Sequence, residues 1–91
     1  MTSIEKAVLH CFRELYAHAT PPANFDKLME EAPVNEEGKK VIDYDSYEIE
    51  EEIYNEIVND SMKLYNIKHK ILKNQFLFAV HLGASPRFKK K

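Results

Sequence analysis

One stretch constrains the fold of this chain more than any other: residues 64–82, with the sequence LYNIKHKILKNQFLFAVHL. On a helical reading, one face of this stretch is apolar along its whole length, through Ile67, Ile71, Leu72, Phe76, Ala79 and Val80. Phe78 and Leu82 lie outside that face, so the last two turns are apolar nearly all round. Because a surface helix has a narrower apolar stripe, this pattern is typical of a buried helix. We therefore expect a central helix here, with the other elements packed around its C-terminal half.

Size and composition indicate one small globular domain. The chain has 91 residues, of which 44% are hydrophobic, with two glycines and no tryptophan. So few glycines argue against an all-β sandwich or barrel, which needs many turns. The single cysteine, Cys11, excludes an internal disulfide and fits a reducing compartment. No secretory signal is visible, and no apolar run approaches the ~20 residues of a membrane span, so we expect a soluble cytoplasmic protein without membrane contact.

The spacing of apolar residues predicts an all-α fold, a small bundle of three main helices and one short helix. The main helices are expected near residues 3–19, 46–65 and 67–82, and the short one near 25–32. Proline ends the first two, at Pro21-Pro22 and at Pro33, because it lacks the amide donor that a helix interior requires.

The ends of the later helices are set by capping residues. Asp45 or Ser46 is expected to begin the third helix, with Glu48 reaching back as in a capping box. Asn66 favours the left-handed conformation that ends helices, which would separate residues 46–65 from 67–82. The alternative is one continuous helix, which in so short a chain would require a partner. We expect the domain to cover residues 1–84, with 85–91 as a flexible basic tail.

Charge divides the chain into two unequal parts. Residues 1–62 contain five basic residues and all fifteen acidic ones, a net charge of −10, whereas residues 63–91 carry eight basic residues and no acid. Such asymmetry indicates contact with nucleic acid, a membrane surface or an acidic partner, or else pairing between an acidic and a basic helix.

Residues that could carry chemistry are present without the spacing that chemistry requires. His10, Glu14 and His18 recur every four residues, but the two histidines lie ~12 Å apart along a helix, too far to share one metal ion. Cys11 falls on the apolar face, where a thiol behaves as a small hydrophobic group. No nucleotide-binding, EF-hand or hydrolase motif is present. We therefore expect no catalysis, no cofactor and no bound metal.

The favoured function is a non-catalytic protein-interaction module, adaptor or regulatory in kind, because the apolar surface near Phe76–Leu82 is larger than short helices can cover. Its partner would be another protein or a second copy of this chain, in a dimer built through the last helix. The predicted partner-binding residues are Phe76, Phe78, Leu82, Glu48, Glu51 and Glu52.

The alternative function is a nucleic-acid-associated accessory protein that uses the basic segment 63–91. Its candidate contacts are Lys63, Lys68, Lys70, Lys73, Arg87 and Lys89. A helix-turn-helix over residues 4–32 is disfavoured, because its recognition helix would be acidic. A weaker third hypothesis is that the acidic face of residues 43–60 docks onto a basic partner.

Overall fold

The computed structural model describes residues 1–83 and 86–89, and within them it confirms the predicted all-α fold. The helices are α1 (Ser3–Ala17), α2 (Phe25–Glu31), α3 (Glu51–Leu64) and α4 (Lys70–Leu82). Tyr44–Ser46 form one 3₁₀ turn, and the two short strands are β1 (Glu48–Ile49) and β2 (Arg87–Phe88).

Helix α1 is the central element of the fold, and it contacts α2, α3 and α4. Its N-terminus is capped by Thr2, whose Oγ1 accepts a hydrogen bond from the Glu5 amide at 3.1 Å. Its buried residues form one face: Ala7, Cys11, Phe12, Leu15 and Tyr16. The prediction that the helix within residues 64–82 is central was therefore wrong. That helix, α4, buries only Phe76 and Val80, because it packs on one side of α1.

Helix α2 closes one end of the core through aromatic packing. Phe25 lies with its ring centroid 5.3 Å from that of Phe12 and 5.7 Å from that of Tyr16. The Arg13 Nε donates to both carboxylate oxygens of Asp26, at 3.1 and 3.0 Å, and so links α1 to α2. As expected from Pro33, α2 is short and ends at Glu31.

The third helix begins five residues later than predicted, at Glu51, and the proposed capping box of Asp45 and Glu48 does not form. The reason is tertiary. The Glu48 backbone is held extended by Thr20, whose amide donates to the Glu48 carbonyl at 2.7 Å and whose carbonyl accepts from the Glu48 amide at 3.1 Å. A backbone paired in this way cannot enter a helix.

The other side of β1 pairs with β2 in parallel, with Glu48 opposite Arg87 and Ile49 opposite Phe88. The Arg87 amide donates to the Tyr47 carbonyl at 3.0 Å. The sequence predicted a flexible tail over residues 85–91, whereas part of that stretch is this strand. Residues 84, 85, 90 and 91 lie outside the described residues.

The break between α3 and α4 follows the prediction. Asn66 adopts a positive φ of 56°, and the Ile67 amide donates to the Met62 carbonyl at 2.9 Å, so the two helices are separate. Helix α4 begins only at Lys70, with His69 as its N-cap. The expected charge pairing between these helices is not seen, since no ion pair joins α3 to α4 in the described part of the chain.

Candidate interaction surface

Helix α4 has two apolar sides, and the fold covers only one of them. Phe76 and Val80 are 0% and 1% exposed in the core. At about 100° per residue, Ile71, Phe78 and Leu82 fall within about 40° of one another on roughly the opposite side of the helix. They are 61%, 64% and 66% exposed. We call these three residues the outer stripe.

The outer stripe is widened by two half-exposed leucines, one on each flank. Leu72 is 40% exposed and Leu77 is 43% exposed. Gln75 lies within the stripe, between Ile71 and Phe78, and the exposed residues Asn74 and His81 lie between the stripe and Leu77. The exposed side of α4 therefore carries a large apolar patch that includes a few polar residues, a kind of surface that monomers seldom show unless it binds something.

The rotation of α4 about its axis is fixed by its C-terminal packing. Gly83, the C-cap residue, lies against the ring of Phe12, and a Cβ added at this position would overlap the Phe12 Cζ and lie 3.0 Å from the Ala79 carbonyl oxygen. Its φ of −86° is ordinary, so the glycine is required for close approach and not for an unusual backbone. With this contact and with Phe76 in the core, the outer stripe cannot turn inward.

The N-terminal end of α4 is positively charged. Lys68, Lys70 and Lys73 are exposed, and the first turn has no acidic residue. The His69 Nδ1 accepts a hydrogen bond from the Ile71 amide at 3.2 Å, which caps the helix without adding negative charge. From Asn74 to Gly83 the sequence contains no lysine, arginine, aspartate or glutamate. The apolar patch is thus basic at one end and uncharged at the other, apart from His81.

Of the predicted partner-binding residues on α4, Phe78 and Leu82 are exposed, whereas Phe76 requires a correction. Phe76 is fully buried, because it faces α1 from the inner side of α4. Periodicity had also placed Ile71 and Leu72 on the inner face, although both are exposed. The spacing of Ile71, Phe78 and Leu82 was the signal that could have shown them as a second row.

The predicted acidic contacts lie on other elements. Glu48 belongs to β1, and its Oε1 already accepts a hydrogen bond from the Arg87 Nη2 at 3.4 Å. Glu51 and Glu52 are exposed in the first turn of α3, where carboxylates stabilise the positive end of the helix dipole. These three carboxylates therefore already act within the chain: Glu48 accepts a hydrogen bond from Arg87, and Glu51 and Glu52 stabilise the start of α3.

The basic residues named for nucleic acid also divide into two groups. Arg87 is held by the Asp45 carbonyl oxygen at 3.1 Å and by the carboxylates of Asp45 and Glu48 at 3.8 and 3.4 Å. Lys89 is half-buried, and its amide donates to the Ile49 carbonyl at 2.9 Å. Lys63, Lys68, Lys70 and Lys73 remain exposed.

The residues considered for chemistry are explained by local packing. His18 lies 3.5 Å from Glu14, measured between Nε2 and Oε2, and the His10 ring packs against Tyr65. Burial raises the pKa of the Cys11 thiol to about 11, against a smaller lowering by its hydrogen bond with Ser61. The thiol is therefore protonated at neutral pH and is a poor nucleophile. In residues 1–83 and 86–89, no three histidine, cysteine or acidic side chains cluster to hold a metal ion.

Among the described helices, none combines the length and the apolar character that crossing a membrane would require. No known protein family, curated protein or solved structure matches this chain. The assignment of function therefore depends on the chemistry of the molecular surface.

Proposed function

We propose that this protein is a non-catalytic protein-interaction module and that the outer stripe of α4 is its binding surface. The observation that supports this is the alignment of three large apolar side chains, each more than 60% exposed, on the side of α4 that faces away from the core. Fully burying one such side chain stabilises by roughly 1.5–3 kcal/mol, so a partner that covers the stripe gains substantial free energy.

The stripe suits recognition of one helix by another. Ile71, Phe78 and Leu82 are spaced by seven and four residues, which is the spacing of anchor residues that a helix places in a groove or against a second helix. Because Phe76 and Gly83 fix α4 against α1, the anchors are held in place before binding. Such preorganisation lowers the entropic cost of association.

Photo-crosslinking tests this proposal without requiring that the sequence of the partner be known. Benzoylphenylalanine is placed at position 78 in the full chain, or at position 59, an exposed site on α3, as the control. We expect protein crosslinks from position 78 and none from position 59. The change Ile71→Glu should suppress them, because it places a negative charge in the outer stripe without altering the probe. Equal crosslinking from both positions, or no effect of Ile71→Glu, would contradict the proposal.

Nucleic-acid contact is a second candidate, supported by the exposure of four lysines that have no acidic partner among the described residues. Lys63 lies in the last turn of α3, and Lys68, Lys70 and Lys73 lie around the start of α4. Binding through them would be largely non-specific and steeply dependent on salt. Arg87 is engaged with Asp45 and Glu48, and Lys89 is half-buried, so the predicted site is reduced to Lys63, Lys68, Lys70 and Lys73.

Fluorescence anisotropy with labelled duplex DNA, single-stranded DNA and RNA, at low and at physiological salt, tests the second candidate. The triple change of Lys68, Lys70 and Lys73 to glutamate should abolish binding. The same change at Lys6, Lys27 and Lys39 alters the net charge equally and should not. An absence of binding at low salt, or an equal loss in both variants, would exclude a site at the start of α4.

A further inference from the structure

We infer that the occupant of the outer stripe is a second copy of this chain, whose α4 packs antiparallel against the first. This inference rests on the proposed function, since it names the partner of the same surface. Three properties of α4 support it: the spacing of its exposed residues, the distribution of its charges, and the direction in which the stripe faces.

The spacing of the exposed row is the same in both directions. Ile71, Gln75, Phe78 and Leu82 are separated by four, three and four residues. A dimer with two-fold symmetry requires a surface that is complementary to itself when reversed, and this row meets that condition. In an antiparallel pair, Ile71 lies level with Leu82 of the second copy, and Gln75 lies level with Phe78. The row of contacts thus spans roughly 16 Å, with apolar pairs of Ile71 and Leu82 at both ends and Gln75 beside Phe78 at the centre.

Charge selects the antiparallel arrangement. In a parallel pair, Lys70 and its neighbours would lie beside the same lysines of the second copy, which is repulsive. In the antiparallel pair, they lie beside the last turn of the second helix, which carries the negative end of the helix dipole and no lysine or arginine. A second copy therefore supplies both the reversed spacing and the uncharged end that the surface requires.

The fold leaves this surface accessible. The outer stripe faces away from α1, and its three side chains are 61–66% exposed, so a second copy can contact it without displacing a described helix. A contact between two helices of 13 residues is smaller than a standard interface of ~1,600 Å². We therefore expect a dissociation constant in the micromolar range, about 1–100 μM.

Sedimentation velocity over roughly 1–300 μM, the range around that dissociation constant, tests for the dimer. The wild-type chain should change from monomer to dimer, and Phe78→Glu should remain monomeric with an unchanged helical circular-dichroism spectrum. Leu64→Glu is the matched control, because Leu64 is 61% exposed at the end of α3 and lies outside the stripe. It should dimerise like the wild type. A wild-type chain that stays monomeric, or a Leu64→Glu variant that is equally impaired, would overturn the inference.

Disulfide trapping tests the direction of the pair. The variants Ile71→Cys and Leu82→Cys are oxidised with glutathione disulfide, separately and as a mixture. In an antiparallel pair, the mixture forms covalent dimers, because positions 71 and 82 lie level, and neither variant does so alone. Covalent dimers of each variant alone, with none favoured in the mixture, would overturn the antiparallel arrangement.

The two proposals fail in different ways. If position 78 crosslinks only to another protein while the purified chain remains monomeric, the interaction function stands and the inference of a second copy is wrong. If position 78 crosslinks no more than position 59, the proposed function is wrong, and the inference fails with it.

Discussion

Helices α1 and α4 are both rich in apolar residues, but they use them differently. Helix α1 buries five residues on one face and leaves polar residues on the other. Helix α4 buries two, and it exposes Ile71, Leu72, Leu77, Phe78 and Leu82. The number of neighbouring helices explains the difference, because α1 contacts three helices whereas α4 is packed mainly on α1. Apolar content alone does not decide which helix is central.

In a chain of this size the surface is large relative to the volume, so a peripheral helix always leaves one side to solvent. For α1 the polar side chains match the exposed side. For α4 the exposed side carries Ile71, Phe78 and Leu82, and a partner that covered these side chains would gain free energy. The contrast between these helices thus separates residues that hold the fold together from residues available for binding.

The sharpest test of this contrast compares two phenylalanines of the same helix. Phe76→Ala should lower the free energy of unfolding by about 3–5 kcal/mol, because it leaves a cavity in the core. Phe78→Ala should change it by less than about 0.5 kcal/mol, because the side chain is already exposed. Urea unfolding at low protein concentration, where the chain is monomeric, measures both. Equal losses would mean that α4 is not oriented as described.

The buried face of α1 should also make stability depend on alkaline pH. Burial raises the pKa of Cys11 from 9.0 to about 11, so the folded protein binds this proton more tightly than the unfolded chain. The contribution of this proton to the free energy of unfolding is fully present below pH 9 and is lost as the pH rises from 9 towards 11. A shift of that size corresponds to roughly 3 kcal/mol.

Urea unfolding of the wild type and of Cys11→Ala at pH 7.5, 9, 10 and 11 isolates this contribution. Burial also raises the pKa of Tyr16, with smaller contributions from Tyr44 and Tyr47, so both proteins should lose stability at high pH. The wild type should lose more. Parallel pH profiles would show that Cys11 does not contribute.

The contact between α1 and α4 can be tested at Gly83. Gly83→Ala should destabilise by about 1–3 kcal/mol, because the added Cβ overlaps the ring of Phe12. The destabilisation caused by Gly83→Ala should be smaller in a chain that also carries Phe12→Leu, because both substitutions act on the same contact. Gly38→Ala is the control. Gly38 has a φ of 81° and no atom near its added Cβ, so its cost is conformational and should be independent of Phe12.

The smallest effect is expected for Tyr16→Phe. The Tyr16 hydroxyl is buried and has no hydrogen-bond partner among the described residues. Because the buried hydroxyl is not compensated by a partner, its removal should leave stability unchanged within about 0.5 kcal/mol, or raise it slightly. Thermal unfolding at pH 7 measures the change. A clear loss of stability would show that the hydroxyl has a partner, such as a bound water molecule.

Much of the fold was predictable because it depends on local features. Apolar residues three and four positions apart specify α1, and prolines end it and the short helix α2. The break at Asn66 followed from the tolerance of asparagine for a positive φ. The start of α3 was missed, because Glu48 pairs with Thr20 and Arg87, residues that no local pattern connects to it.

The candidate site was predicted only in part. The sequence identified Phe78 and Leu82 as excess apolar surface, but it grouped them with the buried Phe76 and with carboxylates on other elements. Periodicity shows that two rows of apolar residues exist on α4. It does not show which row meets α1, because either could fill a core. The contact of Gly83 with Phe12 is one of the features that choose between them.

Residue types and short-range spacing were enough to predict four helices, the break at Asn66 and the separation of acidic from basic residues. Tertiary structure alone decided that α1 is central, that β1 pairs with a strand 39 residues away, and that the row of Ile71, Phe78 and Leu82 faces solvent. These outcomes depend on which surfaces meet in space, and several arrangements of the same helices satisfy the same local preferences.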